Sequence, residues 1–386
     1  MLALRLARGT HPLVLTRRLL VAAAAAGVGF LLLCTLGYAV GHPAQSSTSL
    51  LRLLWCVLPL AATVQFAVAV ARTDPSTRPR PGLSAVGLGP ARLTAIAAAS
   101  TAIACALGSA VALLSYLHLR GDVTGLPFDG AAAELLAADR PVPLAAALTL
   151  LAVLPVVAAV AAGLALRPRT APTAAEGAEK KTPSGLPWGV TLVAVGLAIE
   201  TYASRSGAPS AGGGLPLPGR FDGNPAGVLL GWVLTTVGLA LAGPGLAHGC
   251  GRLLQAARPG AVRLLAGRVL MDESRRIGRP LGVVSAVVSG TLAAAALYDA
   301  KGGSGAFGPL TGLGAALILA CTTATLLTAA LESRQGRAHT TAALLRIGAP
   351  TTVLRSAALL RAGALLAVFA PLTWAVAELA ALPLTG

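Results

Sequence analysis

Apolar residues along this chain gather into nine long blocks, and most charged residues fall in the stretches between them. The blocks run approximately 19–40, 51–71, 93–117, 142–166, 186–203, 226–248, 281–298, 310–331 and 363–382. A helix needs about 20 predominantly apolar residues to cross a bilayer, so each block reads as a spanning helix, with the fifth and seventh the shortest. Arg17 and Arg18 precede the first block, as basic residues precede a secretory signal core. Its apolar run exceeds the about 7–15 residues of such a core and no convincing cleavage site follows, so it too reads as a membrane helix. In the last block, Pro371 marks a kink or the tip of a shallow hairpin. The predicted fold class is all-α: a polytopic transmembrane helical bundle of about nine spans.

Composition agrees. Of 386 residues, 55% are hydrophobic and 11% charged, and mean hydropathy is +0.76. Soluble domains carry about 25% charged residues, which excludes a water-soluble enzyme. A net charge of +16 would suggest a nucleic-acid partner in a soluble protein. Its placement changes that reading. With the N-terminus in the cytoplasm, 24 of the 30 lysines and arginines fall in cytoplasmic segments. Arg52, Arg120, Arg140, Arg205, Arg220 and Lys301 remain outside. One missed span would invert every later loop and destroy this split, so the charge is an orientation signal. The expected location is the cell membrane, with the C-terminus outside and no nucleic-acid partner.

Tyr38, Tyr116, Tyr202 and Tyr298 all fall at the predicted outer ends of spans. Tyrosine suits the headgroup layer because its ring is apolar and its hydroxyl is wet. The outer loops are short, and the stretch 204–225 contains a Ser- and Gly-rich tether. The cytoplasmic stretch 168–185 is rich in Pro, Ala, Glu and Lys and reads as a disordered linker.

The two ends of the chain resemble each other. Residues 83–93 read Leu-Ser-Ala-Val-Gly-Leu-Gly-Pro-Ala-Arg-Leu, and residues 344–354 read Leu-Leu-Arg-Ile-Gly-Ala-Pro-Thr-Thr-Val-Leu. Matching Gly87 to Gly348 and Tyr38 to Tyr298 gives nearly the same offset, so the register holds across a helix and a loop. Both copies begin on the cytoplasmic side, as parallel repeats do. The expected division is a first repeat over 1–118, connecting helices over 119–261, and a second repeat over 262–386.

At these loops the sequence resembles the FtsX/MacB-like permease family of ABC transporters. That family carries a short cytoplasmic segment of the form Leu-x-x-[small apolar]-Gly-[small]-x-x-x-x-Leu leading straight into a membrane helix, and 83–93 and 344–354 both resemble it, with Leu88 and Ile347 as the larger residues at two of its small positions. Residues 263–282 resemble the basic amphipathic segment that leads into a permease half. The resemblance covers the two halves and not the connecting helices. The acidic residue often found early in this loop has Asp74 and Glu332 as its candidates. The second half is expected to lack a final returning helix, and no large extracellular domain is expected. The resemblance implies a membrane subunit of an ABC transporter, with ATP hydrolysed on a separate cytoplasmic ATPase, most naturally a dimer. Val86, Gly87, Arg92, Arg346, Ile347, Gly348 and Arg355 are the residues it would place at the contact. The bland alternative is that these loops face anionic lipid, each Arg contributing about 1 kcal/mol.

The chain carries no G-x-x-x-x-G-K-[ST], H-E-x-x-H or G-x-S-x-G motif, so neither catalysis nor a cofactor is expected on it. Cys34, Cys56, Cys105, Cys250 and Cys321 form no C-x-x-C pair and read as buried thiols. His248 and Cys250 are too few for a metal site. Intramembrane polar residues are the remaining hints of chemistry. Gln65 is expected to hydrogen-bond a neighbouring helix. Glu200 and Glu378 lie near outer helix ends, where a carboxylate can snorkel to water. Two further readings stay open: an ion-coupled secondary transporter, and a non-transporting membrane regulator that relays force to envelope enzymes.

Overall fold

The structure is a computed structural model, and it describes residues 12–44, 46–73, 90–123, 130–133, 136, 138–167, 185–205, 225–256, 260–300, 309–348 and 350–385. Among these, eleven helices follow one another: α1 Pro12–Gly41, α2 Ser46–Trp55, α3 Val57–Thr73, α4 Pro90–Arg120, α5 Leu144–Leu166, α6 Gly185–Arg205, α7 Pro225–Gln255, α8 Ala261–Ala300, α9 Pro309–Gly336, α10 Ala338–Arg346 and α11 Thr351–Thr385. No strand occurs among the described residues. α1, α4, α7 and α9 each begin at a proline, whose fixed φ suits the first turn and whose missing N–H has no helical partner there anyway. The break between α2 and α3 has the opposite origin. Pro59 cannot donate to the Trp55 carbonyl, and the chain kinks at Cys56.

Nine stretches among the described residues are long and apolar enough to span a membrane. Their surfaces are apolar too: Leu107, Leu114, Val160 and Leu366 are all more than half exposed. Water would penalise such a surface heavily, whereas lipid does not. The chain is thus a multi-pass, all-α membrane protein. The helix α8 is longer than a bilayer is thick. At about 1.5 Å per residue, its 40 residues span about 60 Å against a hydrocarbon layer of about 30 Å. The charged stretch from Arg263 to Arg279 therefore continues the same helix as the apolar stretch that follows it. The last block lies in one continuous helix, without a reversal at Pro371.

Two compact units divide the chain: residues 1–172 with 307–321, and residues 173–306 with 322–386. The first half of α9 thus belongs to the first unit and the second half to the other. In the first unit, α1 packs along α4, and α5 lies against both. Leu33, Cys34, Ala112, Tyr116, Leu136, Ala147 and Leu151 form its core. Tyr116 sits inside this core at 1% exposure, with its ring edge-on to Phe30. Gly37 leaves the space that its hydroxyl fills. Tyr38 stacks on His42, and the Arg52 guanidinium lies 3.5 Å over its ring. Beyond α4, Arg120 donates to the Arg140 carbonyl and pairs with Asp122 at 3.3 Å. Arg140 in turn donates to the Val40 carbonyl at 2.7 Å, which ties this turn to α1.

In the second unit α7 is central, with α6 on one side and α8 on the other. Both seams are lined by glycine. Gly189 and Gly238 face each other across α6 and α7, and Gly243 faces Gly278 across α7 and α8. Any β-carbon at these positions would collide with the opposing backbone, so the helices approach as closely as backbones allow. α11 closes the unit. Val193, Leu239, Ala286, Leu372 and Val376 bring four helices to one core, and Ser285 bonds Thr373 at 2.6 Å beside it.

Candidate coupling surface

The second unit carries a short helix, α10, between the end of α9 and the start of α11. Arg337 is the hinge residue. Its N–H bonds the Ser333 carbonyl at 3.3 Å, which finishes α9, and its carbonyl accepts from Thr341 at 2.9 Å, which starts α10. Its side chain folds back over α9, donating from Nε to the Ser333 carbonyl at 3.1 Å. The same Nε lies 2.9 Å from Glu273 Oε1 on α8. Both side chains of this pair are largely shielded, at 24% and 14% exposure. One α8 turn on, Arg276 reaches Glu332 on α9 at 3.9 Å, in a more exposed pair. Two charge pairs of opposite polarity therefore pin the base of α9 and the root of α10 to the basic part of α8.

α10 ends in a left-handed cap. The Ile347 N–H bonds Ala343 O at 3.2 Å, the Gly348 N–H bonds Leu345 O at 3.1 Å, and Gly348 has φ +92°. A side chain is strained in that conformation, so glycine is the natural residue there. Pro350 then precedes α11 immediately, so the turn is short and stiff. At its apex the expected contact residues are presented outward. Ile347 is 85% exposed, and Arg346 and Leu345 are exposed beside it. Arg355 is exposed on the first turns of α11.

In the first unit, Arg92 is exposed on the first turn of α4. Val86 and Gly87 lie outside the described residues, as do most of residues 83–93.

Of the intramembrane polar residues, Gln65 and Glu200 differ from expectation. Gln65 is exposed and makes no hydrogen bond among the described residues. The buried stripe of α3 runs through Ala62, Thr63, Phe66, Ala67 and Val70, and Gln65 falls beside it rather than on it. Glu378 is exposed on α11, in keeping with a snorkelling carboxylate. Glu200 is not: it is 1% exposed, turned into the seam between α6 and α7, where Oε1 accepts from the Trp232 indole N–H. His248 and Cys250 stand two residues apart on α7, so their side chains leave different faces of the helix.

Comparison of the chain with family models, curated proteins and solved structures returns no match. The functional reading therefore rests on residues and geometry. Sequence reasoning missed Arg337, Glu273 and Arg276 as a set. Their signal was present, since 272–276 and 332–337 each hold both acidic and basic residues, but pairing across separate helices is not written in either stretch alone.

Proposed function

We propose that this chain is the membrane-spanning permease subunit of an ABC transporter, similar to the FtsX/MacB-like family. It would couple ATP hydrolysis by a separate cytoplasmic ATPase to export of a substrate or its extraction from the membrane. The observation that carries the reading is the α10 turn. A short surface helix with exposed Leu345, Arg346 and Ile347 joins two spanning helices through a stiff cap. With the basic residues inside, that turn faces the cytoplasm, where an ATPase would close against it.

The mechanics follow from the connections. At nine residues α10 is too short to be stable alone, so its position is set by its neighbours. Arg337–Glu273 and Arg276–Glu332 hold its root to α8, while Gly348 and Pro350 tie its end directly to α11. A push on Ile347 is thereby delivered to the bases of α8, α9 and α11, and a spanning helix moved at its base tilts through its length. Arg92 at the base of α4 would serve the matching contact in the first unit.

Co-expression with a P-loop ATPase encoded beside this chain tests the reading. The wild type should co-purify with that ATPase and stimulate it. Gly348→Asp and Arg92→Glu should each weaken both effects. Full binding and stimulation by both variants would remove the coupling assignment.

A further inference from the structure

Among the described residues, two side chains of the Asp, Glu, Lys and Arg classes are less than a tenth exposed, Arg120 and Glu200. Arg120 has a counter-charge in Asp122. Glu200 has none. Its Oε1 accepts from Trp232, a neutral donor, and its Oε2 is enclosed without a hydrogen-bond partner among the described residues. Thr235 Oγ1, one turn further along α7, is likewise buried without a partner. Both belong to one seam. Thr235 Oγ1 lies against Gly196, one turn before Glu200 on α6, and the Glu200 β-carbon lies against Gly231, one turn before Thr235 on α7. Two oxygens with open lone pairs thus share a glycine-lined interval between two spanning helices.

We propose that Glu200 and Thr235 form a binding site for one small monovalent cation, a proton or a sodium ion. The charge argument decides the class. An ionised carboxylate enclosed in a membrane protein without a partner is costly, and a single bound positive charge removes that cost. A divalent ion would leave one net positive charge in the same apolar seam. Among the described side chains the surroundings supply no alternative. On α7 no charged residue precedes Arg252, and on α8 none stands between Arg279 and Asp299. α11 carries Arg355, Arg361 and Glu378, of which Glu378 is the nearest in level and is exposed. On α6 itself, Tyr202 is exposed and Arg205 ends the helix. This site stands independently of the coupling surface and would add an ion dependence to whichever transport the chain performs.

Carbodiimide labelling of the full-length protein in membranes, read at Glu200 by peptide mass spectrometry, tests the site. Dicyclohexylcarbodiimide reacts with protonated carboxyls in apolar surroundings. For a proton site, labelling should fall at least about tenfold as pH rises, with no effect of sodium against choline. For a sodium site, sodium chloride should protect Glu200 at fixed pH where choline chloride does not, and Thr235→Val should weaken that protection. Glu200→Gln, which keeps the Trp232 bond, should abolish labelling at this position. Absence of labelling in every condition, or labelling indifferent to both pH and sodium, overturns the proposal.

Discussion

Glu273 Oε1 meets Arg337 Nε at 2.9 Å, and Arg337 is the residue at which α9 gives way to α10. The pair therefore sets where the short helix begins and what it is fastened to. Because both side chains are partly shielded, we expect Glu273→Gln to loosen α10 by about 1 kcal/mol. Hydrogen exchange across residues 338–346 should then quicken about fivefold, while exchange in the core of α7 stays unchanged. The exchanged pair Glu273→Arg with Arg337→Glu should recover part of the protection. Equal exchange in wild type and Glu273→Gln would show that the pair does not hold the helix.

Gly348 and Gly363 make a matched contrast. Both have open space where a β-carbon would go, but Gly348 has φ +92° and Gly363 lies in the interior of α11. Alanine at Gly348 incurs a backbone strain of about 1–2 kcal/mol. Alanine at Gly363 gains about 1 kcal/mol of helix propensity. Thermal unfolding in detergent should show the two midpoints moving in opposite directions. A gain for Gly348→Ala would mean that the cap does not need its left-handed glycine.

The nine spans were legible in the sequence because hydropathy is a local property, summed over one stretch of chain. The exposed Arg346–Ile347–Gly348 apex was legible for the same reason, as punctuation between two apolar runs. Facing was not. Whether Glu200 looks outward or into a seam depends on Gly231 and Trp232, which lie on a different helix. Tyr116 turns inward at its helix end because Gly37 on α1 opens a space for its hydroxyl. The continuity of α8 through its charged half was hidden too. Hydropathy stops at Pro280, but helical hydrogen bonding does not, and Glu273 and Arg276 find partners on α9 and at its end.

The glycine seams predict a position-specific cost within α7. Gly238 faces the backbone of α6, whereas a β-carbon added at Gly249 would meet nothing within 4 Å. Leucine at Gly238 must push α6 away, and overpacking of this kind costs about 1–3 kcal/mol or more. Gly238→Leu should lower the yield of monodisperse protein in detergent and the unfolding midpoint together. Gly249→Leu should leave both near wild type. Equal tolerance at the two positions would mean that α6 and α7 do not pack through their glycines.

The continuous α11 makes a topological prediction that needs no partner protein. Residues 346 and 384 are separated by one long apolar helix, so they must face opposite sides of the membrane. The natural cysteines give a quiet background, since all five are free and buried. In sealed cells, a membrane-impermeant maleimide should label Leu384→Cys from outside. Arg346→Cys should react only after the membrane is opened, in keeping with the concentration of basic residues on that side. Labelling of both variants from the same side would mean that the chain reverses within residues 351–385, as a hairpin at Pro371 requires.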